Sequence, residues 1–389
     1  MWTKPAKYLE RMPHRKELAP LLVVPQGGIL KILKNALYTV LIAFALLLAA
    51  VYFSTFHPKA LEEMEVICES NPPTLHKANQ LKILSWNVQY FAGKEKVFWY
   101  DVPDESGPDT APTSEEIEST LKKVANVILE KNPDIILLQE VDDRARRTHG
   151  ENQSERLLPL LSDLYPCRAE AFYWKAGFVP HPKVLGSVGM KLVTLSKYKI
   201  STAIRHQLPL AELDPISNQF QLKRAVLQVD LPITEGGKFV ALNTHLDAFS
   251  MGTDTMQKQV NFLAGLLSRL DEEKADWVLA GDFNLLPPGF KRSSLHPNGA
   301  FYYSDDEEIK PLFDRWSAGA TSDELNGPDK EKFFTYYPND PLIAKPDRTI
   351  DYIFFSKGLV KIFYSVIRSG DAADASDHFP LEAVFRFIE

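Results

Sequence analysis

Acidic, amide and imidazole side chains recur at the ends of short apolar runs. Asn87 follows KILSW, Glu140 closes DIILLQE, Asn243 and His245 follow FVAL, and Asp282 and Asn284 follow WVLAG. Asp351 opens DYIFF, and Asp377 and His378 precede FPLEAVF. These residue types suit one kind of chemistry. Carboxylates are hard oxygen ligands fitted to Mg²⁺, which takes one or two of them and completes its shell with water and substrate phosphate. A histidine exchanges protons near neutral pH, and a carboxylate on its other nitrogen fixes the ring. Amides such as Asn87 and Asn284 can donate to phosphoryl oxygens as charge builds. Taken singly, each residue has a plainer explanation: an Asn after a strand is commonly a turn residue, and a terminal Glu is commonly solvated. GDFN is more specific, because Gly, Asp and Asn seldom cluster after an apolar run except in a tight turn. The ordered combination carries the reading.

The elements that must position these groups are short strands. LKILSWNV, DIILLQEV, KLVTLS, RAVLQVDL, KFVALNTHL, DWVLAGDF, IDYIFFS and LEAVFRFI each read as one. Each polar residue falls where such a strand emerges, so a crevice at the strand ends gathers them. Ser114–Glu130 has helical spacing, with Ser114 as cap, acids in its first turn and Asn132-Pro133 as its stop. Asp254–Leu270 reads as a second helix, and 101–113, 286–298 and 322–348 read as loops. Many strands with few helices indicate an α+β fold with sheet packed on sheet.

LSWNV, LQEV, NTHLD, GDFN, DYIF and SDHFP, in this order over residues 82–389, resemble the signature of the endonuclease/exonuclease/phosphatase (deoxyribonuclease I-like) superfamily. The resemblance implies a four-layer α/β/β/α sandwich with the site at one edge of two packed sheets. By motif it makes Glu140 the principal metal ligand, with Asn87 and Asp377 close to the metal, which would be Mg²⁺ or, alternatively, Mn²⁺. It makes His378 the general base, oriented by Asp351, while Asp282 positions the attacking water and Asn284 holds the phosphate. His245 would hydrogen-bond the phosphate or assist the leaving group, Asn87 and Asn243 would contact substrate, and Arg224 in KRAVL would face the phosphate. A carboxylate that supports the His245-type residue in the nuclease branch has no counterpart in the sequence. The implied reaction is in-line attack of water on phosphorus.

Ala36–Phe56 carries no charge, and its 21 residues would span roughly 30 Å as a helix, the thickness of a bilayer core. Residues 1–35 hold seven Lys/Arg against two Glu, whereas Glu62, Glu63, Glu65 and Glu69 follow the apolar run. The positive-inside bias reads as an uncleaved signal-anchor, with 1–35 cytoplasmic and the rest extracytoplasmic, whether periplasmic, lumenal or extracellular. A cleaved signal peptide is the competing reading. Residues 57–80 read as a juxtamembrane linker and 81–389 as the catalytic domain. Cys68 and Cys167 have no metal-ligand spacing, and a single bridge between them is open.

With 44 basic and 51 acidic residues overall, the chain beyond residue 35 holds 44 − 7 = 37 basic and 51 − 2 = 49 acidic groups, a balance of −12. That field does not draw polyanions. Anchor and charge together favour a phospholipid or sphingolipid head group, or a small phosphate ester, as substrate at the membrane surface. A nuclease is the second reading, with Arg144, Arg146 and Arg147 as its local basic patch. A non-catalytic binding module is the third, and no protein partner is indicated. Two aromatic clusters, Phe98-Trp99-Tyr100 and Phe172-Tyr173-Trp174, serve either to pack the core or to dip into a membrane interface.

Overall fold

A computed structural model describes residues 26–69, 71–248 and 251–388. The chain divides into two compact units, one ending at Val51 and one beginning at Tyr52. The first unit consists, among the described residues, of most of helix α1 (Gln26–Ser54). Its stretch Gly28–Ser54 is long and apolar enough to cross a membrane, a property that a membrane anchor and a signal sequence share. Residues 1–25 of the basic segment lie outside the described residues.

The second unit is built from strands that alternate buried faces. Along the chain they are β1 (Leu61–Glu63), β2 (Val66–Cys68), β3 (Leu81–Asn87), β4 (Ile135–Asp142), β5 (Cys167–Val179), β6 (Gly186–Ser196) and β7 (Thr202–Gln207). There follow β8 (Ala225–Pro232), β9 (Lys238–His245), β10 (Asp276–Asp282), β11 (Ser317–Ala318), β12 (Asp351–Phe355), β13 (Leu359–Val366) and β14 (Leu381–Phe387). One sheet runs β13-β14-β3-β4-β6-β5-β2, and the other β1-β7-β8-β9-β10-β12-β11.

Period-two alternation sorts neighbouring residues into different layers. Ile83, Ile135 and Leu137 point inward and meet Leu227, Val229 and Phe239 of the other sheet. Leu84, Ile136 and Leu138 point outward and are covered by Ile117, Leu121 and Val124 of α2 (Ser114–Lys131). On the far side Val240, Leu242 and Leu279 pack under Val260, Leu263 and Leu267 of α3 (Thr255–Glu272). The result is the four-layer α/β/β/α sandwich.

Two details differ from the sequence reading. Helix α2 is capped by Thr113 rather than Ser114: its hydroxyl accepts from the Glu116 amide at 3.2 Å, and the Glu116 carboxylate accepts from the Thr113 amide at 2.8 Å. The reciprocal pair satisfies two otherwise orphaned donors, which Ser114 cannot do one position later. Residues 57–80 are not a free tether. β1 pairs with β7 and β2 with β5, Leu75 is fully buried, and Cys68 is bridged to its cross-strand partner Cys167.

Candidate active site

The C-terminal ends of β3, β4, β9 and β10 and the start of β12 lie together, and the polar residues at those ends converge there. β3 delivers Asn87. Its amide donates to Glu140 Oε1 at 3.1 Å and to Asp282 Oδ2 at 3.0 Å, linking the two sheets. Glu140 is aimed into the cleft by a bulge: the register of β4 against β6 slips between Leu138 and Val141, and Glu140 adopts φ 58°. A non-glycine residue in the left-handed region costs about 1–2 kcal/mol and re-aims its side chain.

GDFN at the end of β10 has a steric cause. Gly281 sits at φ 149°, and a Cβ there would lie 1.9 Å from the Thr244 carbonyl oxygen of β9. Glycine therefore lets Asp282 and Asn284 reach the cleft beside His245. Asn284, at φ 51°, turns the chain and donates its backbone amide to Asp282 Oδ1 at 2.9 Å.

His378 and Asp351 form a dyad. His378 Nδ1 lies 2.9 Å from Asp351 Oδ2, and Nε2 faces Asp282 Oδ2 at 3.6 Å. Burial disfavours the imidazolium, but the Asp351 and Asp282 carboxylates outweigh it and hold the His378 pKa well above the ordinary histidine value. Burial pushes the Asp282 carboxyl up to about 7. Asp282, Asp351 and His378 offer atoms within 4.8 Å of one another and could hold a cation. Because His378 Nδ1 is already taken by Asp351, the trio fits proton transfer better than ligation.

His245 is buried, and burial together with Arg224 and His378 depresses its pKa well below the ordinary value, so it is neutral. Its Nδ1 meets the Tyr173 hydroxyl at 3.2 Å, and its Nε2 lies 3.2 Å from Asn284 Nδ2 and 3.3 Å from Asp282 Oδ2. Tyr173 supplies the support for which the sequence offered no carboxylate, and its hydroxyl also accepts from the Glu140 amide at 3.2 Å. Tyr173 and Phe98 are buried, which assigns them to packing rather than to a membrane interface.

Glu140 and Asp377 are pushed up first by burial, and Asp377 repels the Glu140 charge further. Asp377 is held by Ser376 and Asn339, and its amide donates to Gln89 Oε1 at 3.2 Å. Two carboxylates whose pKa values stay raised although Arg147, Lys94 and His378 act on them, with an amide oxygen nearby, match a hard divalent cation in donor chemistry. Arg224 lines the same cleft, almost fully buried, and its Nε and one terminal nitrogen have no hydrogen-bond partner among the described residues. The cleft therefore offers a receptor for an anion beside one for a cation.

Asn243 does not join the others. Its amide donates to the Leu138 and Val193 carbonyls at 3.0 and 3.1 Å, and its oxygen accepts from Gln139 at 2.7 Å. It lies two residues deeper along β9 than His245 and ties the sheets together, with no atom left for substrate. The arginines after Glu140 do not form a patch either. Arg147 forks onto Asp142 at 2.8 and 2.9 Å, and Arg146 donates to the Val184 and Leu185 carbonyls. Residues absent from the sequence reading but lining the cleft include Gln89, Asp101, Tyr336 and Arg348. Gln89, next to the Asn87 motif, was within reach of sequence reasoning; the other three come from loops with no pattern.

This arrangement defines a class: a two-sheet sandwich with an acidic, histidine-bearing cleft at its strand ends. A sequence profile of the Endonuclease/Exonuclease/phosphatase family matches residues 84–378, and the chain belongs to that family. Its members are hydrolases acting on phosphoester bonds and are generally dependent on divalent metals. An endonuclease/exonuclease/phosphatase from Beutenbergia cavernae superposes with a TM-score of 0.54 at 21% identity, covering 79% of this chain and 72% of that one. A family protein from Leptotrichia buccalis gives 0.51 at 19% identity (79% and 100% covered), and one from Bacteroides vulgatus 0.50 at 16% (80% and 100%). No curated protein matches the sequence.

Proposed function

We propose that the chain is a membrane-anchored, divalent-cation-dependent phosphoesterase that hydrolyses a phospholipid or sphingolipid head group or a small phosphodiester. The observation that carries this reading is the unpaired Arg224 guanidinium in the same cleft as the crowded carboxylates Glu140 and Asp377. A phosphate ester with its cation meets both needs at once.

Glu140, Asp377 and the Asn87 amide would hold Mg²⁺, or Mn²⁺, which when bound neutralises phosphate charge and activates its ligands. Arg224 and Asn284 donate to the phosphoryl oxygens, and His245, neutral and supported by Tyr173, hydrogen-bonds the phosphate or the departing oxygen. The attacking water sits between His378 Nε2 and Asp282. Its proton passes to His378, whose Nδ1 stays on Asp351 throughout. The bond from water oxygen to phosphorus forms as the bond to the leaving oxygen breaks.

The N-terminus is assigned to the cytoplasm and the domain to the other side of the membrane. The Cys68–Cys167 bridge supports that side, since disulfides persist in oxidising compartments. The test is hydrolysis by the full chain in detergent, with Mg²⁺, of sphingomyelin, phosphoinositides, a generic phosphodiester and plasmid DNA, with His378→Ala as control. Turnover of a lipid or small ester that vanishes in the mutant and with EDTA supports the reading. DNA nicking alone moves the protein to the nuclease branch, and silence across the panel leaves a binding module.

A further inference from the structure

We propose that the tip of the β5–β6 hairpin and the loop before the short helix Ser217–Phe220 form a second membrane contact, which docks the catalytic unit on the lipid surface beside the point where the anchor leaves it. This rests on the reading of α1 as a membrane anchor, and not on the choice of substrate.

The first observation is an apolar surface that none of the described residues covers. Phe178 and Leu185 at the hairpin tip are each 50% exposed, and Ile216 and Leu213 in the loop are 67% and 48% exposed. They flank one packed cluster rather than scattered loops. Ala176, Val179 and Val188 of the hairpin form a cluster against which Phe220 packs, and the Trp174 indole donates to the Phe220 carbonyl at 2.8 Å.

The second observation fixes what covers them. Thr55, the first residue after α1, bridges Ala176 of the hairpin, and Ser54 lies 3.7 Å from the position a Cβ on Gly177 would take. Thr55 also donates to Gln219 of the short helix at 3.4 Å. One residue spans at most about 3.6 Å of chain, so groups touching Thr55 stand at the boundary where an anchored chain leaves the bilayer. Apolar side chains at that boundary meet lipid, not water. Exposed Lys175 and Lys183 beside the tip can rest their stems on the same surface and hold their ammonium groups at the level of lipid phosphates.

The contact would also set the height of the active site. His181, in the tip, stacks on Trp99 with ring centroids 5.1 Å apart, and Trp99 precedes Tyr100 and Asp101 of the cleft wall. Arg146, a few residues beyond Glu140, donates to the Val184 and Leu185 carbonyls at 3.1 and 2.7 Å. The docking surface is therefore braced against the rim of the cleft.

Both native cysteines are in the bridge, so one introduced cysteine gives one free thiol. Full-length chains carrying Phe178→Cys, Leu185→Cys, Ile216→Cys, Leu46→Cys or Asp329→Cys would be labelled with an environment-sensitive fluorophore and reconstituted in phosphatidylcholine vesicles with doxyl-labelled acyl chains. Asp329 is the distant control, beside β13 at the opposite edge of the first sheet. Interfacial groups sit roughly 5–10 Å into the headgroup/acyl boundary, so the labels at 178, 185 and 216 should lose about half their emission or more, and that at 329 almost none. Unchanged melting of each labelled chain shows that the exposed-site substitutions leave the fold intact. Quenching at 46 with none at 178, 185 and 216 overturns the docking surface while leaving the anchor. No quenching at 46 overturns the anchor reading and this inference with it.

Discussion

Two clusters of charge inside the catalytic unit are balanced in different ways. In one, Lys191 of β6 is almost fully buried, and its ammonium reaches Asp143 at 3.2 Å, Asn152 and Ser154 at 3.0 Å each, and Glu170. In the other, Glu140, Asp377 and Asp282 share a cleft, all pushed toward protonation by burial. The first cluster carries its own cation, so its charges are part of the fold. The second keeps its carboxylates raised although Arg147, Lys94 and His378 act on them, and nearby sit strained backbone at Glu140 and Asn284 and, among the described residues, an Arg224 guanidinium without a hydrogen-bond partner for two of its nitrogens. Buried charge that the chain balances itself reads as architecture; buried charge left unbalanced reads as a binding site.

The contrast breaks most visibly at Lys191. Lys191→Met removes the one cation that, among the described residues, touches Asp143, Glu170, Asn152 and Ser154 together, and breaking such a buried group costs about 3–5 kcal/mol. Chemical denaturation should show that loss, with kcat of the surviving folded protein within a few-fold of wild type. A loss of activity at unchanged stability would place Lys191 in the catalytic machinery instead.

His378→Ala should behave in the reverse way. Removing one positioned proton acceptor lowers kcat by on the order of 10²–10³, a loss beyond the stability that the buried His378–Asp351 pair contributes. Activity assays beside melting curves check this, and a destabilised but active His378→Ala would put the dyad with Lys191 as architecture.

The cation deficit predicts a third difference. A ligand present at 100 times its Kd stabilises by about 2.7 kcal/mol. Mg²⁺ should therefore raise the melting temperature of the wild type, and EDTA should reverse the shift. Glu140→Gln should abolish the response, and in EDTA it should melt no lower than wild type, because it removes a charge the fold disfavours. Lys191→Met should keep the Mg²⁺ response.

How far each cluster was legible in sequence follows from its geometry. The central strands announce themselves because alternating residues face two apolar layers, as Ile83 and Leu84 do. β1 and β2 are three residues long, partly exposed and at sheet edges, so their segment reads as a polar linker. In the cleft, Glu140, Asp282, Asp351 and His378 stand at strand ends, where pattern points. Tyr173 reaches His245 from mid-strand, and Asp101 comes from an irregular loop, and neither position carries a local signal. Asn243 misleads for a related reason: it shares a strand face with His245 but stops two residues short of the sheet edge.

The smallest effect is a shift along the pH axis. Asp351 and Asp282 hold the His378 pKa above the ordinary value of about 6.5, and a base acts only when deprotonated. The rate should rise with pH through that elevated value. Stability should run the other way: a raised pKa contributes stability that is complete below about pH 6.5 and is lost as pH climbs through the folded value. Alkaline solution thus activates the site while removing the contribution of the His378–Asp351 pair to the fold. Asp351→Asn withdraws the charge that raises His378, so the ascending limb of kcat should move to lower pH and the pH dependence of melting in EDTA should flatten. A limb that stays in place would assign the titration to another group, with Asp282, at about 7, as the alternative acceptor.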